Sequence, residues 1–189
     1  MLPVSKAETV AVQGESRAYK ITREIFVVVG ASLFVALCAK VTWYLPFTPV
    51  PLSLQNFGVL LVGLLLGSRR GFAALLLYLA EGSAGLPVFA ANSAGLFGPT
   101  AGYLVAYPAV AFVAGWLREH IQASFARYAL ACVAAEILLF VAGVSWIVAF
   151  LRQPLAQAAA FGLYPFLAAE VLKVSTAAGI AARWYRKTS

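Results

Sequence analysis

Two charged residues sit where charge is costly. The stretch "FLAAEVLKVSTAAG" carries Glu170 and Lys173 inside an otherwise apolar run. Residues three apart share one face of a helix. A charge near the centre of a membrane helix costs about 2.5–3.5 kcal/mol on insertion scales, and less when it is paired. An acid and an ammonium so spaced have two uses. They neutralise each other as a packing device, or they share a ligand, with Glu170 accepting from N–H groups and Lys173 meeting an anion.

Other polar side chains are spread along the chain. Gln55 in "SLQ" and Asn92 in "FAANSAG" carry planar amides, which offer two donors and an acceptor to an amide-like ligand. Asn is also common in turns, where it bonds its own main chain. Thr48, Ser53 and Gln55 form the polar edge of "FTPVPLSLQ", and Tyr103 opens a later apolar run. Tyr103 and Tyr44 also suit a membrane interface. The position of Glu81 favours a water-facing rim. Glu136 in "LACVAAEILLF" is deeper, and pairing with Lys40, pairing with Arg152 and a place on a cavity wall all stay open.

Several chemistries are excluded. No GxxxxGK[ST] phosphate loop is present. The only histidine, His120, stands between Glu119 and Ile121 at the end of an apolar run, so neither a Ser–His hydrolase nor a two-histidine metal site can be assembled. Cys38 and Cys132 lie in apolar runs and read as small hydrophobes. Neither enzyme chemistry nor a cofactor is expected.

The elements that must hold these groups follow from composition. Of 189 residues, 62% are hydrophobic and 11% charged, and aspartate is absent. A soluble domain is nearer 45–50% apolar and about 25% charged, so the natural solvent is a bilayer. Six helices are expected, at roughly 25–45, 54–67, 72–86, 103–117, 128–151 and 161–184. The fold class is all-α: a six-helix transmembrane substrate-binding domain at 23–184, between an N-terminal tail (1–22) and a C-terminal tail (185–189). Residues 1–20 read as polar and without periodicity.

Charge orients these helices. Of 14 Lys and Arg residues, only Lys40, Arg152 and Lys173 fall away from the tails with their flanking Arg23 and Arg183, and from the two connections at 69–70 and 118–127. Positive residues crowd the cytoplasmic side, so an even helix count puts both termini there. The net charge of +7 is then topology, and no nucleic-acid partner is expected. The proline segment at 47–55 and the Gly/Asn/Pro segment at 87–102 both face outward. Irregular backbone at membrane depth is tolerated only beside protein or a watery cavity, so the two are expected to border an outward-facing pocket, with the proline segment capping the ligand. Small residues at four-residue spacing, Ser32 with Ala36 and Gly63 with Gly67, mark close helix approach, either inside the bundle or at a partner's docking face.

Taken in order, "PFTPVPLSLQ", "GSRRG", "GLPVFA", "GPTAGYL" and "EVLK" resemble the BioY family over about residues 25–182. These are the substrate-binding S components of energy-coupling-factor (ECF) biotin transporters. The resemblance implies six transmembrane helices in a bacterial plasma membrane and biotin bound from outside. It also implies a transmembrane coupling protein and two ATP-binding-cassette ATPases as partners, which some members work without. By this resemblance Glu170 and Asn92 hold the ureido ring, and Lys173 approaches the valerate carboxylate. The family acid is usually Asp, so Glu170 is one methylene longer. Ser32-xxx-Ala36 stands where many S components carry an Ala-xxx-Ala contact for the coupling protein. The competing expectations are a self-sufficient or proton-coupled carrier, with Glu136 or Glu170 moving the proton, and a structural subunit whose polar pair only fixes packing.

Overall fold

The computed structural model describes residues 6–91 and 93–188. Its elements run α1 (Lys6–Lys40), β1 (Thr42–Trp43), β2 (Leu52–Ser53), α2 (Gln55–Leu66), α3 (Ser68–Ser83), α4 (Ala101–His120), α5 (Phe125–Leu151), α6 (Leu155–Gly162) and α7 (Leu167–Thr188). Two short 3-10 turns, Gly95–Phe97 and Tyr164–Phe166, interrupt the connections.

Among the described residues, four stretches are long and apolar enough to cross a membrane: 17–40, 101–120, 125–151, and 155–187 taken as one. α2 has 12 residues and α3 has 16. The outward faces carry large apolar side chains, among them Phe26, Leu37, Leu130, Ile137 and Leu172, all more than half exposed. An apolar surface so continuous is explained by lipid rather than water.

Inward faces repeat at helical spacing. On α5 the buried set includes Cys132, Ala135, Glu136, Leu139 and Gly143, which is one stripe of a 3.6-residue helix. Small residues let helices close up. The Cα of Gly63 faces the backbone of Ala111, and a Cβ there would meet the Ala111 carbonyl oxygen at 2.5 Å. Gly67 turns the chain from α2 to α3 at φ 85°, a left-handed angle that glycine adopts without penalty.

The two ends of the bundle differ. At one, Arg70 pairs with Glu24, Arg118 lies over the Tyr185 ring, and Glu119 receives both Ser68 N–H and Ser68 Oγ, each at 2.8 Å. At the other, β1 and β2 form a two-rung antiparallel hairpin around Pro46, Pro49 and Pro51. Lys40 Nζ donates to the carbonyls of Pro87 and Phe89, holding the 84–100 connection against the end of α1.

Three expectations change. α1 starts at Lys6, so residues 6–20 are helical rather than an unstructured tail. α1 also stops at Lys40, and the next residues go into the hairpin instead of a further turn. The run expected as one helix from 161 is broken at 163–166, where Pro165 sits in the 3-10 turn and cannot donate a backbone hydrogen bond. α7 therefore begins at Leu167, one turn before Glu170.

Candidate functional site

A cavity opens at the hairpin end of the bundle. Its wall takes Val50, Pro51 and Ser53 from the hairpin, Gln55 and Asn56 from the first turn of α2, and Ala90, Ser93 and Thr100 from the 84–100 connection. Tyr103, Leu104 and Tyr107 come from α4, Leu139 and Phe140 from α5, and Gly162, Phe166, Glu170 and Lys173 from the last part of the chain. Apolar and aromatic walls with a few convergent polar groups are typical of small-molecule sites.

The charged wall is built from α7. Because α7 starts at Leu167, Glu170 and Lys173 lie in its first two turns, one turn apart on the inward face. Lys173 Nζ donates to Glu170 Oε1 at 2.7 Å, with both residues 7% exposed. The other Glu170 oxygen accepts from Asn56 Nδ2 at 2.9 Å. The same amide nitrogen donates to Glu136 Oε1. One amide therefore bridges two buried carboxylates from α5 and α7, of which one is paired with a cation. Among the described residues, Lys173 Nζ makes its hydrogen bond to Glu170 alone.

The rest of the wall is fixed by spent hydrogen bonds. Gln55 Nε2 donates to the Tyr78 hydroxyl at 2.7 Å, and that hydroxyl donates to Val88 O at 3.0 Å. Tyr103 presents its ring to the cavity while its hydroxyl donates to Gly162 O at 2.7 Å. The ring fits because residue 143 is glycine; a Cβ there would run into the ring atoms of Tyr103.

Of the residues picked from sequence, Glu170, Lys173, Gln55 and Tyr103 line one cavity. Asn92 lies outside the described residues. Thr48 does not reach the cavity wall. Its Oγ1 donates to Phe161 O at 2.6 Å and accepts from Val50 N at 3.1 Å, so this hydroxyl ties the hairpin to α6. The small-residue pair on α1 is turned inward: Ser32 is 0% and Ala36 8% exposed, and Ser32 Oγ donates to Glu81 Oε2 of α3. Glu81 is accordingly an α1–α3 tie, and it is not on the cavity wall. Glu136 pairs with neither Lys40 nor Arg152 and meets Asn56 instead. Sequence reasoning misses Asn56 itself, whose only signal is a second amide beside Gln55 at the head of an apolar helix.

The whole of this architecture has relatives. The model of the BioY family matches residues 7–189. The probable biotin transporter BioY of Pyrococcus horikoshii is 38% identical over 71% of this chain and 80% of its own. The biotin transporter BioY of Thermotoga maritima is 37% identical over 82% of this chain and 93% of its own. The fold is similar to the crystal structure of the S-component for biotin from an ECF-type ABC transporter, with a TM-score of 0.80 at 22% identity over 89% of this chain and 93% of that one. A membrane-embedded helical fold, a family model spanning nearly every residue and relatives matched over most of their length have one reading: the chain belongs to the BioY family.

Proposed function

We propose that this chain binds biotin in the cavity at the hairpin end and delivers it across the membrane as the S component of an ECF transporter. The observation that carries the reading is the buried Glu170–Lys173 pair facing an aromatic-walled cavity in a BioY-family chain. Biotin has a cyclic urea, an apolar thioether ring and an anionic tail. Glu170 accepts from the urea N–H groups, the rings of Tyr103, Phe140 and Phe166 pack the bicycle, and Lys173 meets the carboxylate. Gln55 lines the cavity beside them, and Asn92 joins Glu170 on the urea, as the family resemblance implies.

In this reading the bundle crosses the membrane six times, through α1, α2, α3, α4, α5 and the α6–α7 unit, with both termini cytoplasmic. The basic residues gathered near Arg70, Arg118 and Arg186 support that orientation through the preference of Lys and Arg for the cytoplasmic side. The membrane is the bacterial plasma membrane. In this reading energy comes from a transmembrane coupling protein and two ABC-type ATPases, as the family resemblance implies.

Titration of the purified protein in detergent with biotin tests the site. Saturable binding that is lost in Glu170→Ala and Lys173→Ala is expected. Absence of saturable binding, or binding indifferent to both substitutions, overturns the reading. Uptake in cells lacking every coupling protein, with and without a proton gradient, then separates a subunit from a self-sufficient carrier.

A further inference from the structure

Two buried polar atoms have no hydrogen-bond partner among the described residues, Asn56 Oδ1 and Glu136 Oε2. They belong to one pair of side chains. Asn56 Nδ2 already donates to Glu136 Oε1, so the amide and the carboxyl are joined along one edge and orphaned on the other. Both orphans are acceptors if Glu136 is ionised. A single hydrogen on Glu136 Oε2 would make that oxygen a donor, and Asn56 Oδ1, on the side chain already bonded to Glu136, is an acceptor without a partner; joined, the two would close a two-bond acid–amide ring.

Charge points the same way. The groups facing Glu136 are Glu170 and Lys173 from α7, Tyr107 from α4, and Cys132 one turn away on α5; Asn56 is what α2 contributes, and α6 carries no titratable side chain. Lys173 is the one cation in this set, and it is already bonded to Glu170. Glu136 is 6% exposed and has no cation of its own, and burying an unpaired charge is costly.

We propose that Glu136 holds a resident proton and, as a neutral acid paired with Asn56, fixes which way that amide faces. The lock has a purpose at the cavity. With its carbonyl held by Glu136, Asn56 must present its remaining N–H to Glu170, which orients Glu170 Oε1 and Lys173 on the cavity wall. Glu136 is thus a positioning residue, acting through Asn56 without touching ligand. Ionising it adds a second negative charge behind the site and opposes an anionic ligand. The effect on ligand affinity rests on the biotin reading, whereas the proton itself is visible by spectroscopy without any ligand.

The test uses the full chain in detergent. Infrared spectra of the protein without ligand at neutral pH should contain the carbonyl stretch of a protonated carboxyl group, and Glu136→Gln should lack it. Asn56→Ala should shift that band to higher frequency by removing its partner. A wild-type spectrum without the band, a band retained in Glu136→Gln, or a band unmoved by Asn56→Ala each overturns the proposal. Biotin affinity should fall with rising pH in the wild type, by about tenfold per unit once the acid has titrated. Glu136→Gln reproduces both edges of the ring without a proton, so it should keep neutral-pH affinity within about twofold and lose this part of the pH dependence. Equal pH profiles for the two proteins overturn the proposal. Failure of the wild type to bind biotin at any pH sinks the functional reading, and the infrared result then decides the proton by itself.

Discussion

The two ends of this bundle each hold a carboxylate cluster, and they spend their hydrogen bonds differently. At the basic end, Glu119 takes Ser68 N–H and Oγ, Arg118 Nε donates to Leu64 O at 2.9 Å, and Tyr185 Oη donates to Leu65 O at 2.8 Å. These side chains finish helix ends, whose first N–H and last C=O groups have no partner within the helix. At the cavity end, Glu170, Glu136, Asn56 and Lys173 bond to one another, and Lys173 Nζ, with one hydrogen bond among the described residues, keeps polar capacity to spare. Completed backbone marks scaffold, and surplus polar capacity beside a cavity marks a place for something else to bind.

Breaking the cavity cluster should have the largest effect. Lys173→Met leaves Glu170 buried without its cation, a loss of about 3–5 kcal/mol for a broken buried pair. The expected result is a biotin affinity at least about a hundredfold weaker by calorimetric titration, since each tenfold is about 1.4 kcal/mol. Binding within threefold of wild type would make the pair a packing device. Next comes Gly143→Val, whose side chain collides with the Tyr103 ring. Overpacking of this kind costs about 1–3 kcal/mol, read as a lower thermal midpoint together with weaker binding.

The opposite end supplies the contrast. Glu119→Ala should cost about 1 kcal/mol by uncapping α3, with biotin affinity unchanged. A large change in affinity would show that the two ends are coupled. Smallest of all is Arg70→Ala, which removes an ion pair whose two side chains are each 45% exposed. Exposed pairs contribute little and are screened by salt, so both midpoint and affinity should stay at wild-type values.

How much of this is legible in the sequence depends on the distance along it. The Glu170–Lys173 pair is readable because a helix brings residues three apart together without help from the rest of the chain. Asn56 and Glu136 meet across 80 residues, and no local period encodes which stripe of α5 will face the first turn of α2. Ser32 with Ala36 shows a different limit. Small residues four apart announce that something approaches closely, but they do not name it, and at Ser32 it is Glu81 of α3. The break before α7 carries a signal in Pro165 that the continuous apolar composition masks.

The brevity of α2 has a consequence for how a water-soluble molecule gets so deep. Twelve residues rise about 18 Å, at about 1.5 Å each. A hydrocarbon layer is about 30 Å thick. In the six-crossing reading proposed above, the difference, roughly 12 Å on those same figures, falls to the hairpin and the cavity it borders. Gln55 and Asn56, the first residues of α2, line that cavity. On that reading a solute that reaches them has passed about two-fifths of the barrier by the same reckoning, before any part of the protein has moved.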